Sequence, residues 1–226
     1  MHSFDETSHA GVPSSANTGL ARPVTTREKE HSKLRSALVE ILQTVILTLV
    51  IFFAVRSVVQ NFRVEGASML DTLHSGQYLL VNKVTYLDLE GTPLERLVAA
   101  NPKDRDGPRY LFGGPQRGDI IVFEAPRSQD RDYIKRVIGL PGDEVRISRG
   151  RVLVNGDELD EPYIVHRAGY DHPKTKVPDG HYFVLGDNRP NSSDSHLNWT
   201  VPSHDIIGKA WFSYWPPAEW GAVDHD

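Results

Sequence analysis

The 226-residue chain contains no cysteine, and its net charge of −5 leaves no excess of lysine and arginine. Without cysteine the chain holds no disulfide framework, no zinc finger or zinc ribbon and no thiol nucleophile. A protein whose main task is to coat nucleic acid needs clustered basic residues, so nucleic acid is not an expected partner.

Motifs for phosphate binding and zinc proteolysis are also missing, because the sequence has no GxxxxGK(S/T), GxGxxG or HExxH pattern. His166, His172 and His181 lack the spacing of metal ligands and are interpreted as loop residues. We therefore expect neither a metal site nor a cofactor.

The N-terminal quarter of the chain combines a polar tail with one long apolar run. Residues 1–36 have almost no large apolar side chains, which predicts a disordered tail. Residues 37–55 are nearly continuously apolar and match the ~20 residues of one bilayer crossing. A buried core helix is the alternative, but Val45 to Val55 is apolar on every face, unlike an amphipathic helix. We predict a transmembrane anchor over residues 37–60.

The flanks of this run predict how it is used. No small-x-small cleavage pattern follows the run and a long segment precedes it, which disfavours a cleavable signal peptide. Five basic residues lie before it, namely Arg22, Arg27, Lys29, Lys33 and Arg35. By the positive-inside rule, the N-terminus is expected in the cytoplasm and the rest of the chain outside it.

After Phe62 the pattern changes to short apolar runs broken by Gly, Pro and Asp, which indicates a β-rich domain over residues 61–215. The runs are Tyr78–Val81, Ile120–Phe123, Val152–Val154 and Tyr182–Leu185. Asn155-Gly156-Asp157 predicts a hairpin, and Pro141-Gly142-Asp143 predicts a turn. Residues 88–116 are expected to be an inserted loop, and residues 216–226 a C-terminal tail.

Three segments remain that composition does not explain: Gly66–Leu73, Asp132–Asp143 and Gly186–Ser195. The second places Lys135 inside an apolar strand pattern. Burial there would lower the lysine pKa from ~10.4 towards neutrality and make its amine a general base. The alternative is a surface lysine whose amine reaches solvent.

Together and in this order, the segments resemble the boxes of type I signal peptidases, also called leader peptidases. Those boxes run Ser-Met-x-Pro-Thr-Leu, Arg-Gly-Asp, Tyr-x-Lys-Arg-x-x-Gly-x-Pro-Gly-Asp and Gly-Asp-Asn-Arg-x-x-Ser-x-Asp-Ser. Arg117-Gly118-Asp119 supplies the Arg-Gly-Asp box. The resemblance covers residues 37–215 and implies a mostly β fold, with antiparallel sheets and an N-terminal transmembrane helix.

The resemblance also implies the catalytic residues. Ser68 would be the nucleophile and Lys135 the neutral general base, with Ser192 holding the lysine amine in line. An ion pair between Arg136 and Asp187 would support this dyad.

Two further positions in the boxes bear on the dyad. Asp194 is expected to support it as well. Gly66 stands where some relatives carry a hydroxyl, so only backbone N–H groups would stabilise the oxyanion at that point.

Substrate choice in the family rests on two shallow apolar pockets for small residues at positions −1 and −3 of a signal peptide. The matching residues are Met69, Leu73, Tyr133 and Ile134 for the first pocket, and Phe62, Val64, Leu79, Val122 and Ile134 for the second. The substrate would bind as an added extended strand.

The resemblance thus implies a membrane-bound serine endopeptidase that cleaves signal peptides from exported preproteins after A-x-A-like sites. Its single-pass anchor would lie in the plasma membrane with the catalytic domain outside the cytoplasm. The expected partners are signal peptides, membrane lipid and the secretion translocon.

Two departures from the boxes lie near the catalytic residues. Asp71 replaces the proline of the first box, and its charge is expected to raise the pKa of Lys135. His196 replaces an arginine after the last box, so its pair with Asp194 is charged only when the imidazole is protonated, and we expect the structure to be weakened there.

These departures motivate an alternative, a catalytically impaired homologue that binds signal peptides. A self-cleaving repressor-type Ser-Lys protease is a third hypothesis. The predicted membrane span and the 88–116 insertion disfavour it.

Overall fold

The computed structural model describes residues 26–86, 110–126 and 128–225. Its only α-helix within these ranges, α1, comprises Thr26–Val58. Residues 26–36 are therefore helical, so the prediction of a disordered tail is wrong for them. Adding residues to an existing helix costs far less than nucleating one, and this segment is rich in helix-forming Glu, Lys and Arg. Residues 1–25 lie outside the described residues.

Within α1, the segment Arg35–Val58 is long and apolar enough to cross a membrane. Its 24 residues rise about 36 Å, which exceeds the ~30 Å hydrocarbon core of a bilayer. The hydroxyls of Thr44 and Thr48 donate to backbone carbonyls one turn earlier, so they are satisfied without water. The helix ends at Val58 rather than at residue 60, because the chain continues as a strand from Val59.

The rest of the described chain is built from two antiparallel sheets, which confirms the mostly β prediction. The larger sheet has the strand order β1-β2-β11-β3-β4-β9-β10, and β12 pairs with β11. Its strands are β1 Val59–Arg63, β2 Tyr78–Asn82, β3 Ile120–Ala125, β4 Ser128–Gly139, β9 His181–Leu185, β10 Val201–Pro202, β11 Ile206–Trp215 and β12 Gly221–Ala222. All four apolar runs named above are strands in the structure.

The smaller sheet has the order β7-β6-β5-β8. Its strands are β5 Glu144–Ser148, β6 Arg151–Val154, β7 Asp157–Glu158 and β8 His172–Lys176. The predicted hairpin is present, since Val154 pairs with Asp157 and the two residues between them have positive φ, 55° at Asn155 and 97° at Gly156. These are the backbone angles that a two-residue hairpin turn of type I′ requires.

The C-terminal segment is part of the folded domain, so the prediction of a tail over residues 216–226 is wrong for 216–225. Strand β12 pairs with β11, and the buried side chain of Val223 packs in one core cluster with Met69 and Leu73. The backbone N–H of Ile120 donates to Nδ1 of His225 over 3.0 Å. Apolar burial thus orders a segment that is too short and polar to suggest structure by itself.

Only part of the predicted 88–116 insertion can be assessed, because residues 88–109 lie outside the described residues. At its end, the hydroxyl of Tyr110 lies 3.2 Å from that of Tyr182 in β9. This contact ties the end of the loop to the larger sheet.

Candidate active site

Ser68 and Lys135 are brought together by two different parts of the larger sheet. Ser68 lies in the turn segment between β1 and β2, and Lys135 lies within β4. Lys135 Nζ is 2.7 Å from Ser68 Oγ and also donates to the carbonyl oxygen of Ile134 over 2.8 Å. The structure therefore places the two predicted catalytic side chains in direct hydrogen-bond contact.

The amine of Lys135 is held in a nearly dry environment. Only 4% of the residue is exposed, and this burial lowers its pKa from 10.5 to about 8, against the opposing charges of Asp194 and Asp187. A substantial fraction of the amine is thus neutral near physiological pH and able to accept a proton. Asp71 is exposed and is not among the charges that act on Lys135, so the expected effect of Asp71 on the lysine pKa is absent.

The predicted ion pair between Arg136 and Asp187 is present and buried. Arg136 donates through Nε and Nη2 to the two carboxylate oxygens of Asp187, over 3.0 and 2.9 Å. The Thr72 hydroxyl donates to the same carboxylate over 2.6 Å, and Arg136 Nη1 reaches the carbonyl of Gly118. The pair therefore connects the segment that follows Ser68 to β4 and to the Arg-Gly-Asp turn. Thr72 was not predicted, although it belongs to the first box.

The residue after Asp187 contacts the backbone on both sides of the Ser68 Cα. Asn188 Nδ2 donates to the carbonyl of Ala67 over 2.9 Å, and Asn188 N donates to the carbonyl of Ser68 over 3.0 Å. Gly186 packs against the same carbonyl, since a Cβ placed on it would lie 2.5 Å from the Ser68 oxygen. Neither role was predicted, because the last box gives the residue types but not their contacts.

The structure differs from the prediction at Ser192. Its Oγ is buried and has no hydrogen-bond partner among the described residues, so it does not form the expected bond to the Lys135 amine. Asp194 is fully buried and accepts hydrogen bonds from the backbone N–H of Gly186 and from His196. Asp194 therefore fixes the loop that faces Ser68, in addition to acting on Lys135 through its charge.

The Arg-Gly-Asp turn has a structural role. Asp119 accepts hydrogen bonds from Lys209 Nζ, from the Tyr86 hydroxyl and from the Gln116 backbone. Burial works to raise the pKa of Asp119, but these hydrogen bonds outweigh it and lower the pKa. Asp119 thus stays ionised and connects the start of β3 to β11 and to the segment that follows β2.

A second buried ion pair supports the loop after β9 and was not predicted. The guanidinium of Arg189 donates to Glu161, and Arg189 Nε donates to the carbonyl of Gly186. Both charged side chains are almost completely buried. Nothing in the local sequence around Glu161 signals this contact, because its partner lies 28 residues away.

A groove of about 690 Å³ opens beside Ser68 and Lys135. Six of the residues predicted for the substrate pockets line it: Phe62, Val64, Leu79, Val122, Tyr133 and Ile134. Met69 and Leu73 do not; they are buried in the core cluster beneath the groove, together with Val64 and Leu79. Sequence pattern alone cannot separate a residue that lines a groove from one packed directly behind it.

The walls of the groove include backbone with free hydrogen-bonding capacity. Residues 132–135 of β4 pair with β3 on one side, whereas β9 joins β4 on the other side only from Arg136 onwards. Strand β1 is the terminal strand of its sheet and pairs only with β2 in the described part of the chain. Two open strand edges therefore border the groove, an arrangement that suits an extended peptide.

The chain is similar to known signal peptidases. A family model described as "Signal peptidase, peptidase S26" matches residues 38–215. The probable signal peptidase I-2 of Synechocystis sp. is 36% identical over 208 residues, covering 89% of this chain and 84% of the relative. Signal peptidase I of Leptolyngbya laminosa is 38% identical over 207 residues, covering 88% of each.

A solved structure of a signal peptidase I from Enterococcus faecalis V583 is 35% identical to this chain and aligns with a TM-score of 0.37. The alignment covers 43% of this chain and 97% of that structure. Because the family model and the two bacterial relatives each cover most of the chain, this protein belongs to the signal peptidase family, peptidase S26, and is a serine peptidase that acts on signal peptides.

Proposed function

We propose that this chain is a membrane-bound endopeptidase that cleaves exported preproteins after small-x-small sites, with Ser68 as nucleophile and Lys135 as general base. The observation that carries the proposal is the 2.7 Å contact between Lys135 Nζ and Ser68 Oγ in a site where the lysine is 4% exposed. An activated serine needs a base within hydrogen-bond distance, and that base must have a lowered pKa.

The chemistry follows the two-step path of an acyl transfer. When Lys135 is neutral, the Ser68 hydroxyl gives its proton to Nζ while Oγ attacks the carbonyl carbon of residue −1. The resulting ammonium protonates the leaving nitrogen of residue +1, the C–N bond breaks, and an acyl-enzyme remains on Ser68. The neutral lysine then takes a proton from water, hydroxide attacks the ester, and Lys135 returns the proton to Ser68.

Three groups support this dyad in the proposal. Arg136 and Asp187 fix β4 relative to the turn that carries Ser68, and Asp194 fixes the loop opposite. Ser192 is given no part in holding the Lys135 amine, because its buried hydroxyl has no hydrogen-bond partner among the described residues.

The substrate range follows from the groove. A peptide that adds a strand between the open edges of β1 and β4 would turn alternate side chains into the groove wall, so residues −1 and −3 point the same way. The wall there includes the apolar residues Phe62, Leu79, Val122 and Ile134, and Leu79 and Ile134 also pack in the core cluster behind it. Small side chains fit such a wall, and large ones would force the core apart.

Membrane attachment is proposed through the apolar segment of α1. Lys33 and Arg35 lie at the start of this segment, together with the basic residues before them, which favours a cytoplasmic N-terminus. The β domain also exposes Trp211, Trp215 and Trp220, a residue type that favours the interface of a bilayer. Membrane lipid and the secretion translocon are the proposed partners beside the preprotein.

The direct test is cleavage of a preprotein with an A-x-A site by the full chain in detergent or lipid. We expect cleavage after the second alanine, no cleavage by Ser68→Ala, and a loss of at least about a hundredfold in kcat/KM when alanine −1 or −3 is replaced by leucine. A folded parent protein that binds the preprotein without cutting it would instead establish the impaired homologue.

Topology is tested separately on sealed spheroplasts. Protease added outside should digest the chain after Phe62 and spare the segment before Ala37. The reverse pattern would contradict the proposed orientation.

A further inference from the structure

The side chain of Asn188 controls the peptide unit that carries the Ser68 N–H. Its Nδ2 donates to the carbonyl oxygen of Ala67 over 2.9 Å, and the residue is 6% exposed. The Ala67 carbonyl and the Ser68 N–H belong to one planar peptide unit and point in opposite directions. A hydrogen bond that fixes the carbonyl therefore also fixes the direction of the N–H.

The orientation of this amide is itself set by a neighbour. Asn191 Nδ2 donates to Oδ1 of Asn188 over 3.1 Å, which leaves Nδ2 of Asn188 facing Ala67. The backbone N–H of Asn188 holds the next carbonyl, that of Ser68. The peptide units on both sides of the Ser68 Cα are thus held by one residue of the loop after β9.

The Ser68 N–H matters because few donors are available for an oxyanion here. Gly66 has no side chain to supply a hydroxyl, and the Ser68 N–H donates no hydrogen bond to any acceptor within residues 26–86, 110–126 and 128–225. Stabilisation of a tetrahedral intermediate depends on donors that already point at the oxygen before charge develops. A donor on a flexible turn would lose this advantage.

We propose that Asn188 is a positioning residue that pre-orients the Ser68 N–H towards the oxyanion of the transition state. The inference rests on the proposed function, since it presumes attack by Ser68. Asn188 acts through the Ala67 carbonyl rather than on the substrate. Its effect should therefore appear in the chemical step and not in substrate binding.

The test is Asn188→Leu in the full chain in detergent, because leucine has nearly the shape of asparagine, carries no charge and cannot donate. His166→Leu is the control, because it also places leucine at a polar position; His166 is exposed between β7 and β8 and does not line the groove. The measurements are kcat and KM for an A-x-A preprotein, the affinity for a peptide aldehyde that forms a tetrahedral adduct with Ser68, and the affinity for a non-cleavable peptide of the same sequence.

We expect Asn188→Leu to lower kcat by about tenfold to a hundredfold and to weaken the aldehyde by a similar factor. KM and the affinity for the non-cleavable peptide should stay within about twofold. A purely structural role would instead lower the thermal unfolding temperature and the active fraction without changing the ratio of aldehyde to peptide affinity. His166→Leu should match the parent in every measurement.

An unchanged kcat in Asn188→Leu, or a rise in KM alone, would overturn the inference. If this variant does not fold, Asn191→Ala decides, since it removes the bond that orients the Asn188 amide. Asn191 also lines the groove, so the deciding quantities are kcat and the ratio of aldehyde to peptide affinity rather than KM. A several-fold loss of kcat with a matching loss of aldehyde affinity would support the inference, and unchanged values would refute it. Cleavage by the parent and its loss in Ser68→Ala are measured first, so a failure of the proposed function is distinguished from a failure of this inference.

Discussion

His196 Nδ1 lies 2.6 Å from Oδ1 of Asp194, and the histidine ring stacks on Tyr170 with ring centres 4.3 Å apart. Asp194 is fully buried, and its charge opposes the lowering of the Lys135 pKa more strongly than the charge of Asp187 does. The partner of Asp194 therefore matters for the general base, although it does not touch the lysine. A neutral imidazole leaves the carboxylate charge uncompensated, whereas a permanent cation would offset it.

Replacing His196 by arginine should therefore lower the pKa of Lys135 further. A guanidinium beside Asp194 offsets the anion that favours protonated lysine, so the acidic limb of kcat/KM should move to lower pH by about half a unit. The measurement is the pH dependence of kcat/KM on an A-x-A preprotein. His204→Arg is the control, because His204 is 79% exposed beside Asp205, and this variant gains the same charge at the surface. An equal shift in both variants would mean that net charge, rather than Asp194, is responsible.

Activity of the parent protein should fall as pH drops through about 8, because burial lowers the pKa of Lys135 to that value and only the neutral amine is a base. Lys135→Arg should be inactive at every pH, since a guanidinium does not deprotonate in this range. Steady-state kcat/KM between pH 6 and 10 measures both outcomes. An acidic limb near pH 6 that persists in Lys135→Met would identify a different base.

The same lowered pKa has a consequence for stability. The folded pKa is about 8 and the unfolded value 10.5, so between them the unfolded chain keeps a proton that the folded chain has lost. The free energy of unfolding is therefore lowest below pH 8 and rises as the pH increases from about 8 to 10.5. The rise over the whole window is about 3 kcal/mol. Lys135→Met should lack this rise, which thermal unfolding followed by tryptophan fluorescence at pH 7, 8, 9 and 10 would detect. Parallel pH dependence in parent and variant would contradict the prediction.

Asp71→Asn should leave the pH profile unchanged. The side chain is exposed and is not among the charges acting on Lys135, so removal of its charge should move the acidic limb by less than about 0.2 unit. This expectation differs from the one that the sequence suggested, and the same kinetic titration decides between them. A clear shift to lower pH would place the Asp71 carboxylate close enough to act on the amine.

Gly186→Ala should disable the site while a similar substitution elsewhere is harmless. The added Cβ would lie 2.5 Å from the Ser68 carbonyl oxygen and still closer to the Ser192 hydroxyl, so the backbone of the nucleophile must shift. We expect a loss of kcat/KM of at least about tenfold and a destabilisation of about 1–3 kcal/mol. Gly169→Ala is the control, because a Cβ there meets nothing within 4 Å. Equal activity in the two variants would show that the loop after β9 yields to the methyl group.

The elements that could be predicted from the sequence are those with a local signature. Short apolar runs broken by Gly, Pro and Asp marked β2, β3, β6 and β9. Asn155-Gly156 marked the hairpin, because these residues favour the backbone angles of its turn. The catalytic pair was identified through the order of the boxes. No local pattern placed its two members 2.7 Å apart, since they are 67 residues apart in sequence.

The contacts that were missed all depend on distant parts of the chain. The pairing of Glu161 with Arg189 and the ordering of Val223 and His225 exist only once both sheets have formed. Met69 and Leu73 have the right composition for a pocket wall, but their position behind it is set by core packing. The predicted bond of Ser192 to Lys135 was carried over from the family, and the geometry of this chain does not form it.

The C-terminal segment packs against the β domain, and this packing sets the minimum length of any fragment that is to fold and be active. The family model ends at residue 215, yet Val223 shares a cluster with Met69 and Leu73, directly after the nucleophile in sequence, and Trp211 accepts the backbone hydrogen bond of Val223 over 3.0 Å. A protein cut at the recognised boundary would open a hole beneath Ser68 and leave the N–H of Ile120 without its acceptor. The range matched by the family model is thus shorter than the range that the folded domain needs. An expression tag at this end has to be joined beyond His225.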